Sequence, residues 1–201
     1  MSKNKLVCSI LPIFLVLCLF TDIVCSQEVK SNEKSKNIQS IEFLTGYGLA
    51  KLDLLGSYRV IPLFIDFDFD LKNLTKKIGI NPPGLLQFVL EPFVFCAFDP
   101  QSNVEIGNNF LLKIGFLPMD AKLQPYFKGG LGFLYMSQHT REQSTQFNFN
   151  EHAGIGIHYF FKKNTAFTLE YRYRHASNAG IKHPNSGINT NFLICGISQS
   201  F

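Results

Sequence analysis

The sequence predicts an all-β protein, an eight-stranded antiparallel transmembrane outer-membrane β-barrel, and three observations lead there. Phe supplies 21 of the 201 residues while Trp is absent and charged residues make up only 17%, and aromatic side chains suit a pleated surface. Beyond the N-terminus no apolar run reaches the roughly 18 residues that a membrane helix needs. Several alternating segments exceed the roughly 5 or 6 residues usual for a soluble strand and suit the roughly 9 to 11 that cross a bilayer. The competing class is a water-soluble β domain. There the apolar face turns into a core, whereas in a barrel it turns outward to lipid and the polar face lines the lumen.

Residues 1–26 read as a secretory signal. Lys3 and Lys5 precede the apolar run from Leu6 to Phe20, and Val24-Cys25-Ser26 provides the cleavage site, leaving Gln27 first in the mature chain. Val24 argues against a lipid anchor on Cys25, since lipid-anchored cysteines follow a small Gly or Ala. Residues 27–40 are polar, charged and aperiodic, and read as a flexible tether. The barrel then occupies 41–201.

Its strands are expected near 41–49, 58–70, 85–98, 103–117, 123–138, 146–160, 165–177 and 189–201. In the second, Leu63, Ile65, Phe67 and Phe69 share one parity and Asp66, Asp68 and Asp70 the other, which is the period of a strand. The Asp-x-Asp-x-Asp spacing resembles a calcium loop, but Phe fills each gap and no Gly follows, so a strand face is the expectation. The third, fourth and fifth runs are long enough to span. In the sixth, Phe147, Phe149, Ile155, Ile157 and Tyr159 oppose Asn148, Asn150, His152, Gly154, Gly156 and His158. In the seventh, Phe167, Leu169, Tyr171 and Tyr173 alternate with Thr168, Glu170, Arg172 and Arg174. The eighth ends on Phe201, and a terminal aromatic on the last strand is a usual mark of outer-membrane barrels.

Eight strands make a barrel whose interior side chains just fill it. The Phe excess is therefore expected to face lipid, and Asp66, Asp68, Asp70, Glu170, Arg172 and Arg174 bring both signs to an inner face that has to pair them. With periplasmic termini, strict alternation sends links 50–57, 99–102, 139–145 and 178–188 outward and leaves 118–122 and 161–164 as short inner turns. The remaining link, Lys72 to Gly84, becomes a long inner turn for which the sequence offers only the breakers Pro82 and Pro83.

Taking Lys3, Lys5 and Asp22 away with the signal leaves 17 basic against 14 acidic residues, a balance of +3. So mild an excess on an exported chain gives no reason to expect a nucleic-acid partner. Cys8, Cys18 and Cys25 also leave. Cys96 and Cys195 remain on strands three and eight, held apart by strands one and two, and are expected to be small apolar fillers rather than a disulfide.

Chemistry concentrates between Glu170 and Asn189. His175 and Ser177 are two apart on a strand, so both leave the same face with Cα atoms about 6.6 Å apart. That face continues the stripe of Phe167, Leu169, Tyr171 and Tyr173, where a polar pair is costly without a reason. The returning strand brings Asn189 beside His175 on the same parity. A serine nucleophile, a histidine base and an orienting amide then converge by strand geometry. The plainer reading is a polar rim above the apolar band, where His, Ser and Asn are ordinary.

The pattern His-x-Ser-Asn-Ala-Gly followed by Pro-Asn-x-Gly, here His175, Ser177, Asn178, Ala179, Gly180, Pro184, Asn185 and Gly187, resembles the signature of the PagL family of lipid A 3-O-deacylases. Gln124-Pro125-Tyr126 and Phe147-Asn148-Phe149 fit the same family more loosely. The resemblance implies an outer-membrane hydrolase that needs no metal or organic cofactor. Ser177 attacks the ester of the 3-linked acyl chain of lipid A in lipopolysaccharide, His175 relays the proton, and a 3-hydroxy fatty acid leaves. Asn185, with backbone amides around Asn178, Ala179 and Gly180, is implied to face the oxyanion. The site then opens toward the outer leaflet of a bacterial outer membrane, and the enzyme is a monomer or a homodimer.

One departure stands out. Where the family pattern has Glu as the acidic partner of the histidine, this chain has Asn189. A neutral amide orients an imidazole but cannot stabilise the imidazolium by charge, so slower turnover is expected, and the alternative is an inert barrel kept for structural or surface-binding work. Glu170 does not substitute, because its parity points it into the lumen. His152 and His158 are expected in the lumen too. Lys182 and His183 fall in an outward link and are read as solvated, with binding of lipid A phosphates, together with His139 and Arg141, as the other reading.

Overall fold

The computed structural model describes residues 38–53, 56–80, 82–137 and 142–201. The expected signal, most of the tether, His139 and Arg141 lie outside the described residues. Eight strands are present: β1 Ser40–Leu52, β2 Gly56–Asp70, β3 Leu86–Asp99, β4 Asn103–Gly115, β5 Leu123–Met136, β6 Phe147–Lys162, β7 Thr165–Ser177 and β8 Ile188–Ser200. Each pairs antiparallel with its sequence neighbour, and β1 closes the barrel against β8 from Ser40↔Ser200 to Ala50↔Thr190. Closure leaves no sheet edge, so every strand has a ladder partner on both sides. Among the described residues no helix is long and apolar enough to cross a membrane.

The faces follow parity as expected. Ile155, Tyr159, Phe167, Leu169, Tyr171 and Tyr173 are exposed on the outer surface while Asn148, Asn150, His152, His158, Thr168, Glu170, Arg172 and Arg174 are buried inside. This overturns the soluble alternative, since in a soluble domain the apolar parity would be the buried one. Strands of 13 to 16 residues carry that apolar band and extend past it at both ends.

The lumen is solid. At its middle Arg172 grips Glu91 with Nη1 and Nη2 at 2.6 and 2.8 Å and donates to Glu170 from Nε at 2.5 Å. Lys128 lies 2.9 Å from both Asp66 and Glu170, and Lys113 lies 2.5 Å from Glu42 and 2.9 Å from Asp68. The inner pair of the Asp-x-Asp-x-Asp run is thus neutralised by lysines, and Glu170 is fully engaged inside. Asp70 differs: it is exposed at the strand end and accepts from the Lys72 N–H at 2.9 Å. His158 and His152 are lumen groups, Nδ1 of His158 lying 2.9 Å from Thr168 Oγ1.

One expectation about the aromatic residues is corrected here. Not all Phe residues face lipid: Phe64, Phe93, Phe95 and Phe192 fill the lumen at the end that carries the 178–187 link. Their ring centroids are 4.4 to 6.2 Å apart. The guanidinium of Arg172 stacks 4.6 Å from Phe64 and that of Arg174 5.0 Å from Phe95, so cationic and aromatic layers alternate along the axis. Arg174 is neutralised by Glu105 at 2.5 Å, and Glu105 also accepts from the Tyr58 hydroxyl. Packed rings fill this part of the lumen where charges would need pairing.

The long link after β2 is where it was expected, and the structure gives its form. It is a helical turn, α1 (Lys72–Thr75), continued by a 3-10 turn (Lys76–Ile78) and stopped by Gly79 at φ 82°. Leu74 and Ile78, four apart, share one side of this element and are exposed. Cys96 and Cys195 sit on β3 and β8, with β1 and β2 between them as expected.

Candidate active site

His175 and Ser177 occupy the last turn of parity on β7, half-buried on the outer surface, while Ala176 between them is buried in the lumen. The β7–β8 register makes His175 the cross-strand partner of Asn189. His175 Nδ1 lies 2.6 Å from Asn189 Oδ1. An amide oxygen only accepts, so the tautomer that fits this contact has its proton on Nδ1 and its acceptor at Nε2. This is the tautomer that a general base needs. Of the three residues expected to converge, the register brings His175 and Asn189 together, and Ser177 lies two residues along the same face.

The 178–187 link holds the imidazole from above. Gly187 has φ 79°, and a Cβ built there would lie 2.6 Å from His175 Cε1. Glycine is thus required twice at this position, by the left-handed backbone and by the ring seated against it. Proximity of Gly187 to His175 could not be read from the sequence, because it depends on how the link folds back over the barrel rim.

Asn178 and Asn185 do not stand as expected. Asn178 is buried: its Nδ2 donates to Ser144 Oγ at 3.1 Å and to the Lys182 carbonyl at 2.7 Å, and its Oδ1 accepts from the Gly180 N–H at 3.0 Å. Its own N–H donates to Asn185 Oδ1 at 2.9 Å. Two of the three amides expected to face an oxyanion are therefore consumed in building the link. The reason is local. Ala179 at φ 53° turns the chain sharply, and the Asn178 side chain closes the turn behind it. Among the described residues the Ala179 N–H and the Asn185 Nδ2 are the donors of this group left without an acceptor.

A second link takes part that sequence reasoning missed. Gln143 bridges Asn185, its Nε2 donates to the Ala176 carbonyl at 3.1 Å, Ser144 N–H donates to the Pro184 carbonyl at 3.0 Å, and Ser186 N–H donates to the Glu142 carbonyl at 3.0 Å. The chain before β6 thus clamps the chain before β8. Lys182 and His183 are exposed on this link. Ser177 Oγ has no hydrogen-bond partner among the described residues. Its neighbour across β6 is Phe149, which packs edge-on against Phe147 at 5.4 Å, and Phe147 lies 6.1 Å from Phe133. The hydroxyl therefore borders an aromatic patch on the lipid face.

The sequence over residues 84–198, more than half of the chain, matches the family model described as lipid A 3-O-deacylase (PagL). The chain belongs to the PagL family. The match contains β3 to β7, both clamped links and nearly all of β8, so it covers every residue of the site. Among solved structures, the outer membrane enzyme PagL aligns with a TM-score of 0.56 at 18% identity over 81% of this chain and 99% of its own. Neisserial surface protein A aligns with a TM-score of 0.61 at 15% identity over 81% of this chain and 96% of its own. At these identities both share the fold with this PagL-family chain. A search of curated proteins finds no match.

Proposed function

We propose that this chain is an outer-membrane esterase that removes the 3-linked acyl chain of lipid A by a serine–histidine mechanism. The observation that carries the reading is the His175 Nδ1 to Asn189 Oδ1 contact of 2.6 Å, which leaves Nε2 basic on the face that presents Ser177 two residues away.

The chemistry runs in two halves. Ser177 Oγ attacks the ester carbonyl carbon as its proton passes to His175 Nε2, and the C–O bond to the sugar breaks as the same proton is returned to the leaving hydroxyl. Water then attacks the acyl-serine with His175 again as base, and the 3-hydroxy fatty acid leaves. The Ala179 N–H and Asn185 Nδ2 supply the donors for the developing oxyanion, each worth about 3 kcal/mol where such donors have been removed in other hydrolases. In the resting chain Ser177 Oγ is not yet bonded to the imidazole, and a bound ester would draw the two together. The residues call for no metal or organic cofactor. Phe149, Phe147 and Phe133 beside the serine suit an acyl chain, and the site then opens toward the outer leaflet, where lipopolysaccharide resides. The protein works as a monomer or a homodimer.

Asn189 is the observation favouring the second reading, an inert barrel. Labelling by a fluorophosphonate that reacts with activated serines separates the two. Adduct mass on the peptide holding Ser177, lost in His175→Ala, supports the esterase. Absence of label on a closed barrel supports the inert reading.

A further inference from the structure

The β6–β7 register pairs Glu151 with His175. Glu151 lies on the outer parity of β6, between Phe149 and Ala153, and is exposed there. Its other cross-strand neighbour, on β5, is Leu131, which is 64% exposed. A carboxylate on the lipid-facing side of a barrel strand is unfavourable by an amount that grows with depth. The other outward carboxylate of a strand at this end, Asp99, is bridged by Arg59 at 3.4 Å. Glu151 has no cation within bridging distance among the described residues. Nothing in the packing of the barrel calls for an acid there.

The imidazole does call for one. His175 stands between β6 and β8, so Asn189 and Glu151 flank it on opposite sides, with Gly187 against the ring. Asn189 fixes the tautomer and Gly187 the seat, but both are neutral, and Glu151 is the titratable group that the strand register sets beside His175. Directly opposed residues in an antiparallel pair have Cβ atoms about 5 Å apart, within the range where a carboxylate stabilises a cationic ring at low dielectric. We infer that Glu151 is a positioning residue that supplies the negative charge for the His175 imidazolium, dividing between two strands the orienting and charge-stabilising roles of a single acidic partner. The inference rests on the esterase reading for its consequence, though not for its geometry.

The test compares the full-length wild type with Glu151→Gln, Glu151→Asp, Asn189→Glu and the double variant E151Q/N189E, all in the same detergent with closed barrels verified by heat-modifiable gel mobility. With purified lipid A as substrate, Glu151→Gln lowers kcat about tenfold or more with little change in KM, Glu151→Asp recovers part of the loss, and Asn189→Glu makes the Glu151→Gln change nearly silent. Unchanged kcat in Glu151→Gln, a rise in KM alone, or an equal loss in the Asn189→Glu background would overturn the inference. A second measurement does not need turnover: the NMR titration of the His175 ring in micelles, where wild type and Glu151→Gln midpoints should differ by about half a pH unit or more. Coincident midpoints would overturn the inference. Distinct midpoints in a wild type that leaves lipid A intact would remove the esterase reading while the Glu151–His175 coupling stands.

Discussion

Gly187 leaves no room for a side chain against His175: a Cβ there would lie 2.6 Å from Cε1 of the ring. The link over the site and the base within it are therefore one unit, and the Pro-Asn-x-Gly run acquires a steric meaning. Gly187→Ala should cost about 1 kcal/mol or more from the positive φ alone and push the ring away from Asn189. The expected outcome is a loss of activity of about a hundredfold, since small displacements of a catalytic group act on that scale. Kinetics on a barrel whose closed form is verified by heat-modifiable gel mobility would check it.

The Asn189 contact predicts a gain. Asn189→Glu keeps an acceptor on His175 Nδ1 and adds charge, so kcat should rise severalfold or more, while Asn189→Leu should lower it by releasing the ring. Initial rates on lipid A give the answer, and a Leu variant as active as wild type would show that the 2.6 Å contact has no catalytic role.

Asn178 is predicted to matter through architecture. Asn178→Ala removes three side-chain hydrogen bonds and strands partners at Lys182, Gly180 and Ser144. That loss is worth about 1–3 kcal/mol locally. Limited proteolysis should cut within 178–187 faster than in wild type, with global unfolding of the barrel unchanged.

The lumen gives a stability prediction. Arg172→Met removes the bidentate partner of Glu91 and the 2.5 Å contact to Glu170, leaving the two buried carboxylates to Lys128, which Asp66 also shares. Breaking such a network from one side costs about 3–5 kcal/mol. Urea unfolding in micelles should shift to lower concentration accordingly, whereas Arg172→Met combined with Glu91→Leu and Glu170→Leu should recover much of the loss.

Period-2 alternation made the strands and their outer face legible. It set His175, Ser177 and Asn189 on one surface because antiparallel return is fixed by strand length, and the ends moved by only a few residues, as with β4 stopping at Gly115 rather than 117. Alternation could not say which aromatic residues fill the lumen. On β3, Phe88 and Phe98 point out while Phe93 and Phe95 point in, and a lumen filler has the same chemistry as a lipid-facing ring. The turns after β2 were hidden because Leu74 and Ile78 form too short a period to be seen between breakers. The fates of the Asn178 and Gly180 amides depend on hydrogen bonds inside an irregular link, which carry no period at all. Glu151 was within reach, since it breaks the apolar parity of Phe147, Phe149 and Ile155, and its meaning needed only the register with His175.

The proposed function stands or falls with hydrolysis of an acyl ester of lipid A by Ser177 and His175. Mass spectrometry of purified lipid A after incubation with the full-length protein tests it most directly. The expected result is loss of the mass of one 3-hydroxyacyl chain, with the matching free 3-hydroxy fatty acid released, and no loss with Ser177→Ala. Intact lipid A with the wild type, or equal loss with Ser177→Ala, would contradict it.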